Sequence, residues 1–288
     1  MLESIPPLKE YRIEKIIEAL NCFDLFPLNR EKQKICIFNF YRGQYKKPID
    51  SFDKAIFRGM VIPSLRYLGL IIGYGDFIKV SSNGKLILES STINEKLKNI
   101  TIRAIVLEID MSKYHFLSFL EDQLFTNIQE FIAVYFDNSP EISKKQKEER
   151  ISKWLTILLQ VQLISQEQGS IHIHRENFNS SKKILDVENI NFKEFEKSLL
   201  QAYVKISEKS AGIVEIENLR LAVSMTLFKD SHVILTEQMF DDLFAKLIEN
   251  QEDLTFSLGR PMGKHEKLFK FRENYFKTVY IKKNSDKL

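Results

Sequence analysis

Two histidines, His172 and His174, are the only pair in this sequence with a spacing suited to metal ligands. On a β-strand, residues i and i+2 share a face, so both imidazoles could reach one metal ion. The other interpretation, which we favour, places both on an exposed hairpin, because no cysteine or acidic cluster nearby completes a ligand set. The sequence therefore predicts neither a metal site nor a cofactor, with a metal-dependent enzyme using this pair left as the weaker alternative.

The short motifs of phosphate-binding and nucleophilic enzymes are also missing. Residues 259–264 read GRPMGK, which has the wrong spacing for a phosphate-binding loop and no hydroxyl group for Mg²⁺. No serine stands in a G-x-S-x-G turn. None of the 39 acidic residues is followed two positions later by lysine, so the (D/E)-x-K half of the common restriction-nuclease metal site is absent. We expect a protein that is not an enzyme and has no small-molecule substrate.

Basic side chains suggest a different chemistry. Clustered Lys and Arg attract phosphate, and binding through them weakens as the salt concentration rises. The alternative is that these side chains are solvated surface charges that bind no ligand. Glutamates interrupt the second group, and the aromatic residues of 269–280 are more typical of a hydrophobic core than of base stacking. The candidate DNA-contacting residues are Lys54, Arg58, Arg66, Lys79 and Lys85 in a first group, Lys144, Lys145 and Arg150 in a second, and Lys270 and Arg272 in a third.

Composition places the chain among ordinary globular proteins. Of its 288 residues, 44% are hydrophobic and 28% are charged, and 42 basic against 39 acidic residues leave a formal charge of +3, which excludes a histone-like polycation. No apolar run is long enough for a membrane span, and the N-terminus shows no secretory signal. Cys22 and Cys36 make neither a metal ligand set nor a disulfide framework. We therefore expect a cytoplasmic protein with no membrane partner.

The elements that must position these basic residues are clearest in residues 8–92. Apolar residues at helical spacing predict helices over 8–25 and 28–44, and a third from Phe52 towards Leu68 that bends near Pro63. The period then changes, and residues 70–80 are typical of a strand, a glycine-containing turn and a second strand. Three helices followed by a hairpin is the order of a winged helix. Lys54, Arg58 and Arg66 would then lie on the third helix, and Lys79 and Lys85 on the wing.

The same order recurs twice along the chain. In residues 94–176 the sequence predicts helices over 95–109, 113–135 and 141–163 and a strand–turn–strand over 163–174. In residues 190–282 it predicts helices over 192–209, 214–227 and 238–248 and β-like runs over 254–258 and 268–281. A linker is expected near 177–189. The predicted fold class is mainly α with small β-hairpins (α+β), in three tandem winged-helix domains: 1–93, 94–180 and 181–288.

The segment Leu65-Arg66-Tyr67-Leu68-Gly69-Leu70-Ile71, followed by Ile78-Lys79-Val80-Ser81 and Gly84-Lys85, resembles the end of a recognition helix and the wing of bacterial winged-helix proteins. Three such units in tandem resemble the DNA-recognition half of the type IIS restriction endonuclease FokI. In the second unit, Arg150–Leu155, Leu163-Ile164 and the turn at Gly169 are similar in layout to that region. The resemblance implies a DNA-recognition subunit of a restriction or phage-defence system whose nuclease is another polypeptide.

The leading hypothesis is thus a non-catalytic protein that binds double-stranded DNA. A protein-interaction scaffold bridging subunits of an ATPase or nuclease complex is the alternative, because winged helices also dock proteins and fold alone does not decide the ligand. A transcriptional regulator is a further possibility that the sequence leaves open.

Overall fold

The computed structural model describes residues 5–42, 48–122, 132, 134–136, 142–167, 170–208, 210–250, 253–262 and 267–284. The protein is mainly helical with small antiparallel sheets, which confirms the predicted α+β class. It divides into two units, residues 1–80 with 87–183 and residues 81–86 with 184–288. No helix among the described residues has the length and hydropathy that a membrane crossing requires.

The first unit begins with an extended segment and two helices, α1 (Ile13–Leu25) and α2 (Arg30–Tyr41). Helix α1 starts later than predicted because the backbone N–H of Glu10 donates to Ser64 Oγ at 2.9 Å, which holds residues before it in a non-helical path. Helix α2 is capped by Asn29, whose side chain accepts from the N–H of Lys32. The end of the predicted helix 28–44 lies outside the described residues.

A disulfide joins Cys22 of α1 to Cys36 of α2, with 5.7 Å between their Cα atoms. The sequence prediction that these cysteines stay unpaired is wrong. The short turn between the helices folds α2 back against α1, so that residues 14 positions apart come within disulfide distance. Spacing along the chain does not reveal this, because each cysteine taken alone is an ordinary helical residue.

The third helical stretch is divided rather than simply bent. It runs through α3 (Ile49–Phe52), a π-helical segment over Asp53–Val61, and α4 (Ile62–Tyr67). Pro63 at the start of α4 has no N–H to donate, so the hydrogen-bond pattern changes beside it. Gly59 permits the π-helical turn, since a Cβ atom there would lie 2.6 Å from the carbonyl oxygen of Lys54.

A two-stranded hairpin follows, with β1 (Ile71–Ile72) antiparallel to β2 (Lys79–Val80). The register pairs Ile71 with Val80. Gly73 has a φ of +93°, and a Cβ atom at this position would lie 1.9 Å from the carbonyl oxygen of Phe77, so only glycine fits here. Helix α5 (Ser82–Ile93) comes next. This order agrees with the predicted hairpin and turn.

The rest of the first unit repeats helices and a hairpin. These elements are α6 (Glu95–Ile109), a π-helical turn (Asp110–Tyr114), α7 (Phe116–Asp122), α8 (Lys144–Gln160), β3 (Ile164–Glu167) and β4 (Ser170–Ile173). The β3–β4 pair is antiparallel and confirms the predicted strand–turn–strand, although Gly169 lies outside the described residues. The helix predicted from residue 113 begins instead at Phe116, and residues 123–131 and 133 of it lie outside the described residues. The helix predicted over 141–163 begins at Lys144, and only residue 141 of it lies outside them.

The predicted linker over 177–189 is instead ordered structure. Helix α9 spans Arg175–Ile184, and a 3-10 turn follows over Val187–Asn189. Phe178 and Ser181 of α9 are buried, and the guanidinium of Arg103 donates to the side chain of Asn177 at 2.9 Å. The polar composition of this stretch suggested a linker, but its buried side chains and this hydrogen bond pack it against the first unit.

The second unit has its own core and a three-stranded sheet. Its elements are α10 (Phe192–Ser207), β5 (Val214–Glu215), α11 (Ile216–Ser231), α12 (Glu237–Asn250), β6 (Leu254–Gly259), β7 (Phe269–Phe271), β8 (Asn274–Phe276) and β9 (Thr278–Lys283). The sheet order is β5-β9-β6, antiparallel throughout. The β-like run predicted over 268–281 is three strands, with β7–β8 a separate hairpin between β6 and β9.

Candidate nucleic-acid interface

Lys54 and Arg58 lie on the π-helical segment of the first unit, and both side chains are exposed. Because π-helical hydrogen bonds join residues five apart, one turn returns residues four or five apart to the same face. The Nε atom of Arg58 donates to Asp53 at 2.7 Å, which partly offsets its charge. Lys54 makes no ion pair within the described part of the chain. This face therefore presents one free ammonium group and one paired guanidinium group to solvent.

Arg66 has a different environment from the other two cations of this stretch. It is half-buried, donates to the carbonyl oxygen of Gly73, and places its guanidinium carbon 4.8 Å from the centre of the Tyr74 ring. These contacts tie the end of α4 to the turn of the hairpin. Arg66 thus positions the hairpin in this structure, while Tyr74 stays half exposed at its tip.

The two lysines predicted to share the wing are separated. Lys79 lies half-buried on β2, but Lys85 lies in helix α5, so its predicted place on the wing is wrong. The hydroxyl of Ser81 accepts from the N–H of Gly84 at 3.2 Å, and the Ser81 carbonyl accepts from the N–H of Lys85 at 2.9 Å. The S-x-x-G pattern that resembled a wing is therefore a helix N-cap in this protein.

Helix α8 carries the second basic group. Ser143 and Gln146 form a capping box that starts the helix, and Lys144 and Lys145 lie exposed in its first turn. Further along, Arg150 is half-buried and donates from Nη1 to the carbonyl oxygen of Ile5 at 3.3 Å. The predicted cations of this helix thus divide into two exposed lysines and one arginine that faces the N-terminal segment.

The third group lies on the β7–β8 hairpin of the second unit. Lys270 and Arg272 are exposed, yet each has a carboxylate near it, Glu273 at 3.6 Å and Glu249 at 3.7 Å. The core interpretation of the aromatic residues of 269–280 holds for Phe269, which is fully buried, but not for Tyr275 and Tyr280, which are exposed. Helix α12, which directly precedes β6, has a slightly acidic solvent face. Its exposed residues are Gln238, Asp242, Lys246, Glu249 and Asn250.

Of the histidine pair, His172 lies on β4 and His174 directly follows the end of that strand. Both His172 and His174 are exposed, and the Nδ1 atom of His174 accepts from the N–H of Asn177 at 3.4 Å. No group of three or more metal-ligating side chains is present among the described residues.

Sequence reasoning missed a buried ionic cluster in the second unit. Arg220 of α11 is 2% exposed and donates to both carboxylate oxygens of Asp241 on α12, at 2.8 and 2.7 Å. It also donates to Glu217 at 3.0 Å. Burial opposes ionisation of Glu237, but Lys267, 2.5 Å away, and Arg220 together hold its pKa below the usual value. The i,i+3 spacing of Glu217 and Arg220 is a sequence signal for one contact only.

The cluster joins the two helices of this unit to the segment before β7, because Arg220 Nη1 also donates to the carbonyl oxygen of Lys267 at 2.6 Å. All three nitrogens of this guanidinium thereby donate at least one hydrogen bond inside the unit. We assign the cluster a structural role. Compared with known proteins, the chain matches no family, no curated protein and no solved structure.

Proposed function

We propose that this protein binds double-stranded DNA without cleaving it, through the exposed cations of its first unit. The observation that carries the proposal is the shared exposed face of Lys54 and Arg58 on the helical stretch before the β1–β2 hairpin. In a helix followed by a hairpin, the helix can enter the major groove of DNA while the hairpin contacts the phosphate backbone. Lys144 and Lys145 add two exposed charges at the start of α8.

The proposed architecture is three tandem winged helices. The second unit supports it best, because its chain order is helix, strand, two helices and two long strands, with β9 between β5 and β6 in the sheet. In the first unit, α1 to β2 and α6 to β4 each end in a two-stranded hairpin. We further propose that this chain is a recognition subunit of a bacterial restriction or phage-defence system in which another polypeptide is the nuclease.

The test is fluorescence anisotropy of the full chain with a mixed-sequence duplex of about 30 base pairs at several salt concentrations. We expect affinity that falls steeply with salt, since each neutralised phosphate contributes a slope of about 0.9. The double variant Lys54→Gln/Arg58→Gln should bind more weakly, with a slope lower by about two. Lys96→Gln, which removes an exposed charge from α6, is the matched control and should bind like the unaltered protein.

Two results would reject the proposal at different levels. If the double variant and the Lys96→Gln control bind the duplex with equal affinity and equal salt slope, the face that Lys54 and Arg58 share is not the contact surface. Absence of binding by the unaltered chain at low salt would exclude DNA binding itself.

A second candidate function, protein docking, is favoured by the solvent face of α12. In a winged helix this element often enters the groove, yet here the exposed charges of α12 are Asp242 and Glu249 against Lys246, and this net negative charge would repel phosphate. We propose that this face contacts a basic surface of a partner subunit, such as an ATPase or nuclease. The charge-reversal variant Asp242→Lys/Glu249→Lys should lose a co-purifying partner while keeping its affinity for the duplex; retention of the partner would exclude this face.

A further inference from the structure

The N-terminal segment and helix α8 of the first unit enclose a cavity of about 140 Å³. Pro7, Leu8 and Lys9 form one side, and Gln146, Glu149, Arg150 and Lys153 of α8 form the other. The volume is several times the ~30 Å³ that one water molecule occupies in the liquid. It is therefore large enough for a small tetrahedral anion and its hydrogen-bonding waters.

The lining is mainly cationic. Lys9, Arg150 and Lys153 face one carboxylate, Glu149, so the cavity carries an excess of two positive charges. Glu149 already accepts from the ammonium group of Lys153. The pKa of Glu149 is held below its usual range by Lys153 first and by Lys145 and Lys9 at longer range, which agrees with cations on several sides of it.

Arg150, which lines this cavity, has one donor without a protein acceptor among the described residues. The Nε–H group of Arg150 is buried and makes no hydrogen bond within the described residues, whereas its Nη1 donates to the carbonyl oxygen of Ile5 at 3.3 Å. Lys9 likewise makes no side-chain hydrogen bond or ion pair in that part of the chain, since only its backbone N–H has a partner, Ser64. Leaving a buried charged donor without an acceptor is unfavourable, so an anion is the complementary ligand.

We propose that this cavity is a phosphate-binding site in which Arg150 and Lys9 are the principal ligands. A phosphate group supplies several acceptor oxygens and up to two negative charges, which matches the unpaired Nε–H and the excess charge of the lining. The phosphate can belong to the DNA backbone, in which case the inference rests on the proposed function, or to a free phosphate or phosphate monoester, in which case it does not.

Isothermal titration of inorganic phosphate into the full chain tests the site directly. We expect saturable binding by the unaltered protein, weakened at least tenfold in Arg150→Gln and in Lys9→Gln. Lys96→Gln should bind phosphate normally. Lys9→Gln keeps the proposal falsifiable if Arg150→Gln fails to fold, because the Lys9 side chain is exposed and makes no hydrogen bond or ion pair in the described part of the chain. No saturable binding at millimolar phosphate, or binding unchanged in Lys9→Gln, would overturn the proposal.

The same variants distinguish the two sources of phosphate. If the pocket engages the DNA backbone, Lys9→Gln should also weaken duplex binding and lower its salt slope by about one, and free phosphate should compete with the duplex. If duplex affinity is unchanged while phosphate binding is lost, the ligand is a free phosphate or monoester. If the unaltered chain binds phosphate but no duplex, the proposed DNA function fails and the phosphate site stands.

Discussion

Asp110 offers the sharpest quantitative prediction, because it is a fully buried carboxylate beside the single tryptophan of the chain. Its Oδ1 accepts from the indole N–H of Trp154 at 2.9 Å, and its Oδ2 accepts from the N–H of Leu117 at 2.8 Å. Burial raises the pKa of Asp110 to about 6, against the opposing effect of these two donors. The perturbation we propose is Asp110→Asn, which removes the titration but keeps the size of the side chain.

The direction and size of the expected change in stability with pH follow from the difference in proton binding between the folded and unfolded states. Between its usual pKa of 3.8 and about 6, Asp110 holds a proton in the folded state that the unfolded state releases, so its contribution to stability falls as pH rises. At about 1.4 kcal/mol per pKa unit, ionised Asp110 costs the fold about 3 kcal/mol above pH 6, of which about 2 kcal/mol develops between pH 4 and pH 7. Relative to the unaltered protein, the free energy of unfolding of Asp110→Asn should therefore rise by about 2 kcal/mol between pH 4 and pH 7.

Urea unfolding followed by Trp154 fluorescence measures this difference, since the indole passes from a buried site to water. The test is the change with pH of the stability difference between the two proteins, because a constant offset reflects only the altered hydrogen bonds of the amide. Asp76→Asn, whose side chain is 74% exposed, is the control and should show little change. A stability difference for Asp110→Asn that is constant from pH 4 to pH 7 would refute the assignment of desolvation as the dominant effect.

Three further predictions concern the framework. Gly73→Ala should destabilise the first unit by at least about 2 kcal/mol, because its Cβ would overlap a carbonyl oxygen, whereas Gly75→Ala, with open space around it, should cost about 1 kcal/mol in urea unfolding. Arg220→Met should destabilise the second unit by about 3–5 kcal/mol, measured by circular dichroism, because it leaves carboxylates buried without their partner. Reduction of the Cys22–Cys36 bond should lower stability by about 3 kcal/mol, and intact mass under non-reducing conditions should be two hydrogens lower than in the reduced protein.

Local sequence patterns predicted the regular elements well. The helix expected over 95–109 is α6 with those bounds, and the strand pairs expected over 70–80 and 163–174 are the β1–β2 and β3–β4 hairpins. Hydrophobic periodicity and turn residues act within a few positions of one another, so they are legible without the fold. The same local reasoning placed Lys85 on the wing although it lies in helix α5, and mistook a packed helix at 175–184 for a linker, because neither packing nor capping is visible in composition.

For the candidate interface, the sequence identified which residues are basic but not which of them are free. Lys54, Lys144 and Lys145 are exposed, whereas Arg66 is committed to the hairpin turn and Arg150 faces the N-terminal segment. A cation's availability depends on the carbonyl groups and carboxylates that the fold brings to it.

The amino-acid sequence by itself determined the mainly helical character, the positions of most helices and hairpins, and the inventory of charges. Tertiary structure alone decided the Cys22–Cys36 disulfide, the buried Arg220–Asp241 pair and the cavity between Lys9 and Arg150. Each of these joins separate elements of the chain, which are brought together by the burial of apolar side chains across a whole unit. Their chemistry is therefore set by which helix faces pack together.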